Sequence, residues 1–216
     1  MLNRYATMQP RVAILDYGCG NLASVANAVR KVGGEPFIAG RWPTADEAQP
    51  THIILPGQGH FGTAMGGSWQ WMAELAKREQ RPILGICLGM QLMCEGSEEA
   101  PGVLGLGWFP YKVTKLALTS SPHIGWATVR TMIPLISGNF YFCHSYGITV
   151  QEINAKRPWQ QCHAWTYPNG ETPDTLTSNS TILCSGFTAD NVWAVQFHPE
   201  KSGKAGLVLL ERFLAL

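Results

Sequence analysis

Charged side chains are scarce in this sequence, and those present nearly balance. Asp, Glu, Lys and Arg make up 14% of the 216 residues, and the formal net charge at pH 7 is +1. No basic run is longer than a pair such as Arg30 and Lys31. This argues against nucleic acid or an anionic membrane surface as the main partner. Scarce charge also suggests that another chain covers part of the surface, although abundant Gly and Pro dilute the charge.

Long apolar runs are also absent. No stretch approaches the roughly 18 uninterrupted apolar residues of a membrane helix. The segment from Met1 to Pro10 is short and polar and lacks the apolar region of a signal peptide. We therefore expect a cytoplasmic protein in which residues 1–10 are an N-terminal extension, with either Met1 or Met8 as the natural start.

The cysteines form no C-x-x-C pair, which disfavours a structural zinc site. A disulfide framework is equally unexpected in a cytosolic chain of this size. We predict that most of them are inert thiols. The six are Cys19, Cys87, Cys94, Cys143, Cys162 and Cys184.

The first half of the chain alternates short apolar runs with helical patterns. Runs apolar on both faces, each followed by a helix, indicate a parallel sheet covered by helices. The predicted strands are 12–15, 36–39, 52–55 and 82–86. The predicted helices are 22–32, with Asn21 as its N-cap, 63–80 and 88–95.

The second half, rich in Gly, Pro, Ser, Thr and aromatics, predicts short and mostly antiparallel strands. Examples are 112–116, 127–131 and 140–144, and a strand 192–197 precedes a closing helix 203–216. The predicted fold class is α/β, with a central, mostly parallel sheet flanked by helices and an additional antiparallel region. Residues 11–216 are expected to form one domain.

Gly85-Ile-Cys-Leu-Gly89 lies where the fourth predicted strand gives way to a helix. This is the pattern of a nucleophile elbow, with cysteine in place of serine. The nucleophile sits on a sharp, strained turn, where flanking side chains would collide with backbone. The helix N-terminus beyond it favours the thiolate form of Cys87. Without further support, a buried core cysteine between close-packed glycines is the alternative.

His198 has the best setting for a base, because it follows the apolar strand ending in Gln196-Phe. Residues i and i+2 of an extended chain point the same way, and Pro199 favours an extended segment. Glu200 is therefore expected beside His198, as the third member of a nucleophile, base and orienting triad. We expect His52 to be partly exposed and His163 to lie in a loop. His60 and His123 could line a site, but a position in a loop is favoured for both. His144 could be structural or line the substrate pocket.

Acyl transfer also needs donors for an oxyanion. One candidate is the backbone N–H of Leu88, directly after the nucleophile. The other is the turn of Gly57, Gln58 and Gly59, whose glycines allow N–H groups to face inward. No Lys-Ser/Thr pair follows this turn, which argues against a phosphate loop.

The sequence around Cys87 and His198 resembles the two hallmark motifs of class I glutamine amidotransferases, which have a flavodoxin-like fold. A narrower resemblance, to the glutaminase subunits of imidazole glycerol phosphate synthase in histidine biosynthesis, covers nearly the whole chain. It rests on six blocks in the expected order: 16–22, 55–61, 95–102, 122–126, 141–146 and 198–202.

The resemblance implies that L-glutamine is the substrate and that Cys87 forms a glutamyl thioester with His198 as base and then acid. Gln91 and the backbone around Gly59, Ser145 and Tyr146 would hold the glutamine, and the 57–59 turn would supply oxyanion donors after a peptide rearrangement. A separate barrel-shaped cyclase subunit would use the ammonia in a heterodimer. The positions implied to face it are Asn21, Trp126 and Lys201. No metal or organic cofactor is implied.

Three residues depart from the family pattern. Ala127 replaces an asparagine, Gln58 replaces the valine of many members, and Cys143 replaces an aliphatic residue. An amidotransferase serving another synthetase, a catalytically inactive scaffold subunit and an unrelated cysteine hydrolase are the alternatives.

Overall fold

The structure, a computed structural model, describes residues 9–118, 122–131, 138–149, 162–166 and 181–216. Most of the predicted N-terminal extension therefore lies outside the described residues. Within them, a nine-stranded sheet has the strand order β2-β1-β3-β4-β12-β11-β10-β7-β8. A smaller sheet of β5, β6 and β9 lies apart from it.

One half of the large sheet is parallel and contains the four predicted apolar runs. Neighbouring strands pair in parallel from β2 through β1, β3 and β4 to β12. The bounds are β1 Arg11–Leu15, β2 Glu35–Ala39, β3 His52–Leu55, β4 Ile83–Ile86 and β12 Val192–Val195.

The other half is antiparallel and continues the same sheet. β11 pairs with β12, β10 with β11, β7 with β10, and β8 with β7, all antiparallel. The bounds are β7 His123–Thr131, β8 Gly138–His144, β10 Cys162–Thr166 and β11 Leu183–Ala189. The antiparallel strands predicted at 127–131 and 140–144 are confirmed. The predicted strand at 112–116 is part of β6, in the smaller sheet, whose strands are β5 Cys94–Ser97, β6 Phe109–Lys115 and β9 Tyr146–Gly147.

Helices cover both faces of the sheet and enclose two buried clusters. One cluster joins residues such as Val12 and Leu84 to α1 and the C-terminal helix α5, and the other joins residues such as Leu15 and Ile53 to α2, α3 and the smaller sheet. Alternate residues of one strand therefore serve opposite cores. The helices are α1 Leu22–Lys31, α2 Phe61–Met65, α3 Gln70–Arg78, α4 Leu88–Leu92 and α5 Gly203–Leu214. Among the described residues, no helix is both long and apolar enough to cross a membrane.

Two helix predictions are wrong in extent. The helix expected over 63–80 is split into α2 and α3 at Gly66 and Gly67, residues with low helix propensity. The indole N–H of Trp69 donates to the carbonyl of Ala64 at 2.7 Å, which fixes the end of α2. The helix expected to reach residue 95 stops at Leu92, because β5 begins at Cys94 and pairs with β6.

Asn21 occupies the N-cap position of α1, as predicted, but its side chain does not cap the helix. Asn21 precedes the helix, and its carbonyl accepts from the N–H of Val25 at 3.1 Å, but its side chain makes no capping hydrogen bond. Its backbone has ψ of 59°, outside the extended conformation that usually aims a cap at the first turn. The side chain of Asn21 therefore contributes no N-cap to α1.

Candidate active site

Cys87 sits on a strained turn between β4 and α4. It is one of three non-glycine residues with positive φ in the described chain, with φ of 46° and ψ of −101°. A Cβ added at Gly85 would lie 2.9 Å from backbone atoms of α4, and one at Gly89 would lie 2.1 Å from the carbonyl oxygen of Leu55. Both flanking glycines are therefore needed for close packing, as the elbow pattern predicts.

His198 is held beside this turn because β12 pairs with β4. The N–H of Cys87 donates to the carbonyl of Val195 at 2.7 Å, and the N–H of His198 donates to the carbonyl of Tyr141 at 2.8 Å. The hydroxyl of Ser202 donates to the carbonyl of His198 at 2.5 Å. The imidazole is thus fixed by backbone contacts to the sheet on one side and to the start of α5 on the other.

Glu200 reaches His198 by a different route from the one expected. His198 is extended, but Pro199–Lys201 form a 3-10 turn rather than an extended segment. The carboxylate Oε1 of Glu200 still lies 2.8 Å from Nδ1 of His198, and both side chains are almost completely buried. This contact leaves Nε2 of the imidazole as the nitrogen available to a reacting group.

The pKa of the buried His198 imidazole is set by opposing effects. Burial lowers the pKa of His198, but hydrogen bonds to Cys87 and Glu200, together with their negative charges, outweigh it and raise the pKa to about 10. At neutral pH the site therefore favours an imidazolium, flanked by the Cys87 sulfur and the Glu200 carboxylate.

A cavity of about 300 Å³ opens over this group. Cys87 and His198 line it, and so do all seven residues predicted to bind substrate or an oxyanion. These are Gly57, Gln58, Gly59, Leu88, Gln91, Ser145 and Tyr146. The structure therefore brings together residues from four separate segments of the chain.

The predicted oxyanion donors have a common property. Within the described part of the chain, neither the N–H of Leu88 nor those of residues 57–59 have a hydrogen-bond acceptor. Gly57 is packed so closely that an added Cβ would lie 1.9 Å from the carbonyl oxygen of Ile86. The turn is thus pressed against the strand that carries the nucleophile.

Several cavity residues were missed by the sequence analysis. Glu99 lines the cavity, and its Oε2 accepts the N–H of Phe61 at 2.8 Å, which holds the carboxylate against the start of α2. Pro122, Ile124 and Cys143 complete the wall. The block 95–102 was a signal for Glu99, but nothing in its local pattern distinguishes a cavity carboxylate from a solvated one.

Two buried histidines brace the cavity wall. Nδ1 of His144 lies 2.8 Å from the carbonyl of Tyr146, which can only accept, so this nitrogen carries the proton. Nε2 of His144 must then accept from Nδ1 of His123 at 3.1 Å. Burial has the largest effect on both rings. It lowers the pKa of His144 to about 3 and also lowers the pKa of His123. Both rings are therefore neutral at neutral pH.

These positions correct three expectations. His123 lies in β7, not in a loop, and His163 lies in β10. His52 is buried rather than partly exposed, because its ring packs edge-on against Phe213 at 5.2 Å. His60, by contrast, precedes α2, and its ring accepts the N–H of Gly62.

Two of the residues predicted to face a partner, Trp126 and Lys201, lie near the same ring, that of Tyr141. Trp126 is 60% exposed, and its ring meets that of Tyr141 edge-on at 6.1 Å. The ammonium of Lys201 lies 5.9 Å from the same Tyr141 ring. Asn21 precedes α1, which contacts the Pro199–Lys201 turn. Exposed Ile124 adds apolar area to this surface.

Comparison with known proteins places this arrangement in a family. The model of the family "Glutamine amidotransferase class-I" matches residues 13–215. A Thermococcus kodakarensis protein named imidazole glycerol phosphate synthase subunit HisH is 39% identical over 95% of this chain and 100% of its own length. A protein of the same name from Thermus thermophilus is 36% identical over 94% of this chain and 95% of its own length.

This chain is a class I glutamine amidotransferase of the HisH family. Solved structures share the amidotransferase fold. PurLQS from Thermotoga maritima matches with a TM-score of 0.68 at 17% identity, over 96% of this chain and 98% of that one. The glutaminase domain of Trypanosoma brucei CTPS with bound acivicin matches with a TM-score of 0.63 at 19% identity, over 95% and 93%.

In this amidotransferase, the described residues contain no cluster of three His, Cys, Asp or Glu side chains that could hold a metal ion. Cys19, Cys87, Cys94 and Cys143 are free thiols. The expectation that no cofactor is needed stays a prediction.

Proposed function

We propose that this chain is the glutaminase subunit of imidazole glycerol phosphate synthase, releasing ammonia from L-glutamine for a separate cyclase subunit. The observation that carries the proposal is that Cys87 and His198 line the same cavity, with Oε1 of Glu200 2.8 Å from Nδ1 of the His198 imidazole. The names of the most similar relatives support the pathway. We infer that residues 11–216 act as one amidotransferase domain.

In the first half-reaction, the Cys87 thiolate attacks the side-chain amide carbon of glutamine, and the carbonyl π electrons move onto oxygen. As this tetrahedral intermediate collapses, the C–N bond breaks and the imidazolium of His198 gives its proton to the departing nitrogen. Ammonia leaves, and a glutamyl thioester remains on Cys87. The raised pKa of His198 supports its starting this step as an acid.

In the second half-reaction, the now neutral imidazole of His198 takes a proton from water while the water oxygen attacks the thioester carbon. The C–S bond then breaks, glutamate leaves, and the thiolate and imidazolium are restored. Glu200 is a positioning residue here, because its contact at Nδ1 keeps Nε2 facing the sulfur.

The oxyanion of both intermediates needs donors at the cavity wall. The N–H of Leu88 and those of the 57–59 turn are proposed for this role because they have no acceptor within the described residues. Loss of one such donor typically costs about 10²–10³ in rate.

We assign recognition of the α-amino end of glutamine to the part of the cavity wall that contains Glu99. Glu99 is the one carboxylate among the described residues that line the cavity, and we propose that it receives the α-ammonium of glutamine. The amide nitrogen of Gln91 is already hydrogen-bonded, which leaves its oxygen to accept from the substrate. The backbone at Ser145 and Tyr146 would hold the rest of the glutamine.

The cyclase is proposed to dock on the surface of Trp126, Tyr141 and Lys201, next to Asn21. An exposed Trp beside a Tyr and a cation is typical of the anchors that dominate interfaces. Ammonia would cross the barrel-shaped partner to the phosphoribulosyl-formimino intermediate, giving imidazole glycerol phosphate and the aminoimidazole carboxamide ribonucleotide.

The test measures glutamate release from glutamine by the chain alone, with the cyclase, and with the cyclase plus its nucleotide ligand. We expect very low activity alone and a large rise with both additions. Cys87→Ala should abolish glutamine use but leave the complex able to use added ammonium salts. Cys94→Ala is the matched control, because Cys94 is buried with its Sγ near the carbonyl of Met90 at 3.6 Å.

Two outcomes would overturn parts of this proposal. Glutamate release that no cyclase stimulates would keep the glutaminase and assign it to another synthetase. No release under any condition would leave the chain as a scaffold subunit.

A further inference from the structure

Two buried glutamine side chains connect the cavity wall with the sulfur of Cys87. Nε2 of Gln91 lies 2.9 Å from the carbonyl of Tyr146 and 3.2 Å from Oε1 of Gln196. Nε2 of Gln196 lies 3.4 Å from Sγ of Cys87. Gln91 is 4% exposed and Gln196 is 1% exposed, so both amides are largely shielded from bulk water.

The orientation of both amides follows from the carbonyl of Tyr146, which lies at one end of this series of hydrogen bonds. The carbonyl of Tyr146 can only accept, so it must face the NH₂ group of Gln91. The second hydrogen of that NH₂ group then requires an acceptor, which fixes Oε1 of Gln196 toward Gln91. The NH₂ group of Gln196 is thereby turned toward the sulfur, and a flipped amide would place two donors face to face.

The donor and the sulfur also belong to residues that directly follow two paired strands, β12 and β4. The N–H of Gln196 donates to the carbonyl of Ser185 at 3.0 Å, and the residue before it accepts the N–H of Cys87. An N–H group fixed toward sulfur in a buried site stabilises a thiolate more than a thiol, because hydrogen bonds to ionised acceptors are the stronger ones. Unlike His198, an amide does so without changing its own charge.

We propose that Gln196 is a further catalytic residue, a neutral donor that stabilises negative charge on the Cys87 sulfur and is held in place by Gln91. The role of Gln196 in catalysis rests on the glutaminase activity proposed above, but its effect on the reactivity of the Cys87 sulfur can be measured without glutamine. Because Gln91 also lines the cavity, the same amides connect substrate contact with the state of the nucleophile.

The other ionisable groups around the sulfur are left unchanged by the test. His198, with Glu200 behind it, faces Cys87 from the strand β12 side. Tyr17 lies close enough to feel the charges of Cys19 and Cys87, and burial, the main cause, raises its pKa, so it stays neutral. A change confined to Gln196 therefore reports on the amide.

The experiment follows iodoacetamide alkylation of Cys87 in the full chain from pH 5 to 10, with the modified cysteine identified by mass spectrometry. Gln196→Leu should move the midpoint of the rate profile upward by roughly one pH unit, the shift expected for one lost hydrogen bond to a charged group. Gln196→Glu, similar in shape, should move it at least as far, since an ionised carboxylate cannot donate. Profiles that superimpose on the wild type for both variants would overturn the proposal.

Gln70→Leu is the matched control, because Gln70 also donates its amide to a backbone carbonyl, that of Met65 at 2.9 Å, away from the cavity. Its profile should match the wild type. Gln91→Leu should move the midpoint in the same direction as Gln196→Leu, and the double variant should move it by less than the sum. Full additivity would refute the role of Gln91 in holding Gln196.

The two proposals fail in distinguishable ways. A shifted alkylation profile with no glutamate release by the wild-type complex would remove the glutaminase and keep the sulfur donor. Normal glutamate release with an unshifted alkylation profile would keep the glutaminase and remove the sulfur donor. If Gln196→Leu does not fold, Gln196→Glu and Gln91→Leu still decide the question.

Discussion

The neutral, buried ring of His144 predicts that this protein loses stability in mild acid. Burial lowers the pKa of His144 from 6.5 to about 3. Below pH 6.5 the unfolded chain takes up a proton at this residue and the folded chain does not. The contribution is therefore fully present above pH 6.5 and is lost as the pH falls toward 3.

The size of this effect can be worked out for a single pH step. Between pH 6.5 and pH 5 there are 1.5 pH units, each worth about 1.4 kcal/mol for one proton, so the free energy of unfolding should fall by about 2 kcal/mol. Burial lowers the pKa values of His52 and His123 as well, which adds to the loss. The raised pKa of His198 acts with the opposite sign, and its contribution is lost as the pH rises from 6.5 toward 10.

The assay is urea unfolding of the wild type and of His144→Asn between pH 5 and pH 7.5. The Asn amide can still donate to the carbonyl of Tyr146 but does not titrate. The variant should be less stable at pH 7.5, and its deficit should shrink by about 2 kcal/mol at pH 5. A deficit of His144→Asn that stays constant with pH would refute the reasoning.

Three further predictions concern the cavity and the surface beside it. Gly57→Ala places a Cβ 1.9 Å from the carbonyl of Ile86, so we expect destabilisation by about 1–3 kcal/mol in thermal unfolding and strongly reduced glutamate release. Glu99→Gln keeps an acceptor for the N–H of Phe61 but removes the charge, so KM for glutamine should rise about tenfold with little change in kcat. Trp126→Ala should weaken cyclase binding in calorimetry by at least about 2 kcal/mol, roughly 30-fold in Kd.

Each of these variants has a control in the chain. Gly40→Ala meets no atom within 4 Å and should leave stability unchanged. Glu98→Gln alters the neighbouring carboxylate, which accepts the N–H of Lys115 and does not line the cavity. Trp71→Ala removes a 52% exposed Trp from α3, whose ring packs near that of Trp42, at 6.5 Å, instead of near Tyr141. A control that behaves like its partner variant would contradict the corresponding prediction.

The parallel half of the fold could be predicted because its signals are local. Short apolar runs such as Ile53–Leu55 predict strands that are buried on both faces, and in the structure this run is a buried strand. The helix ends at Met65 and Leu92 could not be predicted. They depend on Trp69 closing α2 and on the pairing of β5 with β6, which are contacts made only in the folded chain.

The same distinction applies to the site. Cys87 and His198 carry local signals, an elbow between glycines and a strand end before a proline, and the structure brings them together. Gln196 lies only two residues before His198, yet its role depends on an amide orientation set by Gln91 and Tyr146. Glu99 depends similarly on α2, whose first N–H holds its carboxylate. Such roles arise from contacts between distant segments, and residue type alone does not specify them.

The position of β12 between β4 and β11 has a consequence for biosynthesis. Because β12 is made long after β4, a growing polypeptide has the nucleophile strand β4 and its neighbour β3 before it has β12 or His198. We expect the ribosome-bound intermediate to be unable to consume glutamine until this segment is made, since the proposed base follows β12. The same intermediate exposes an unpaired, apolar strand edge of β4, so this enzyme should depend on chaperones until β12 has been translated.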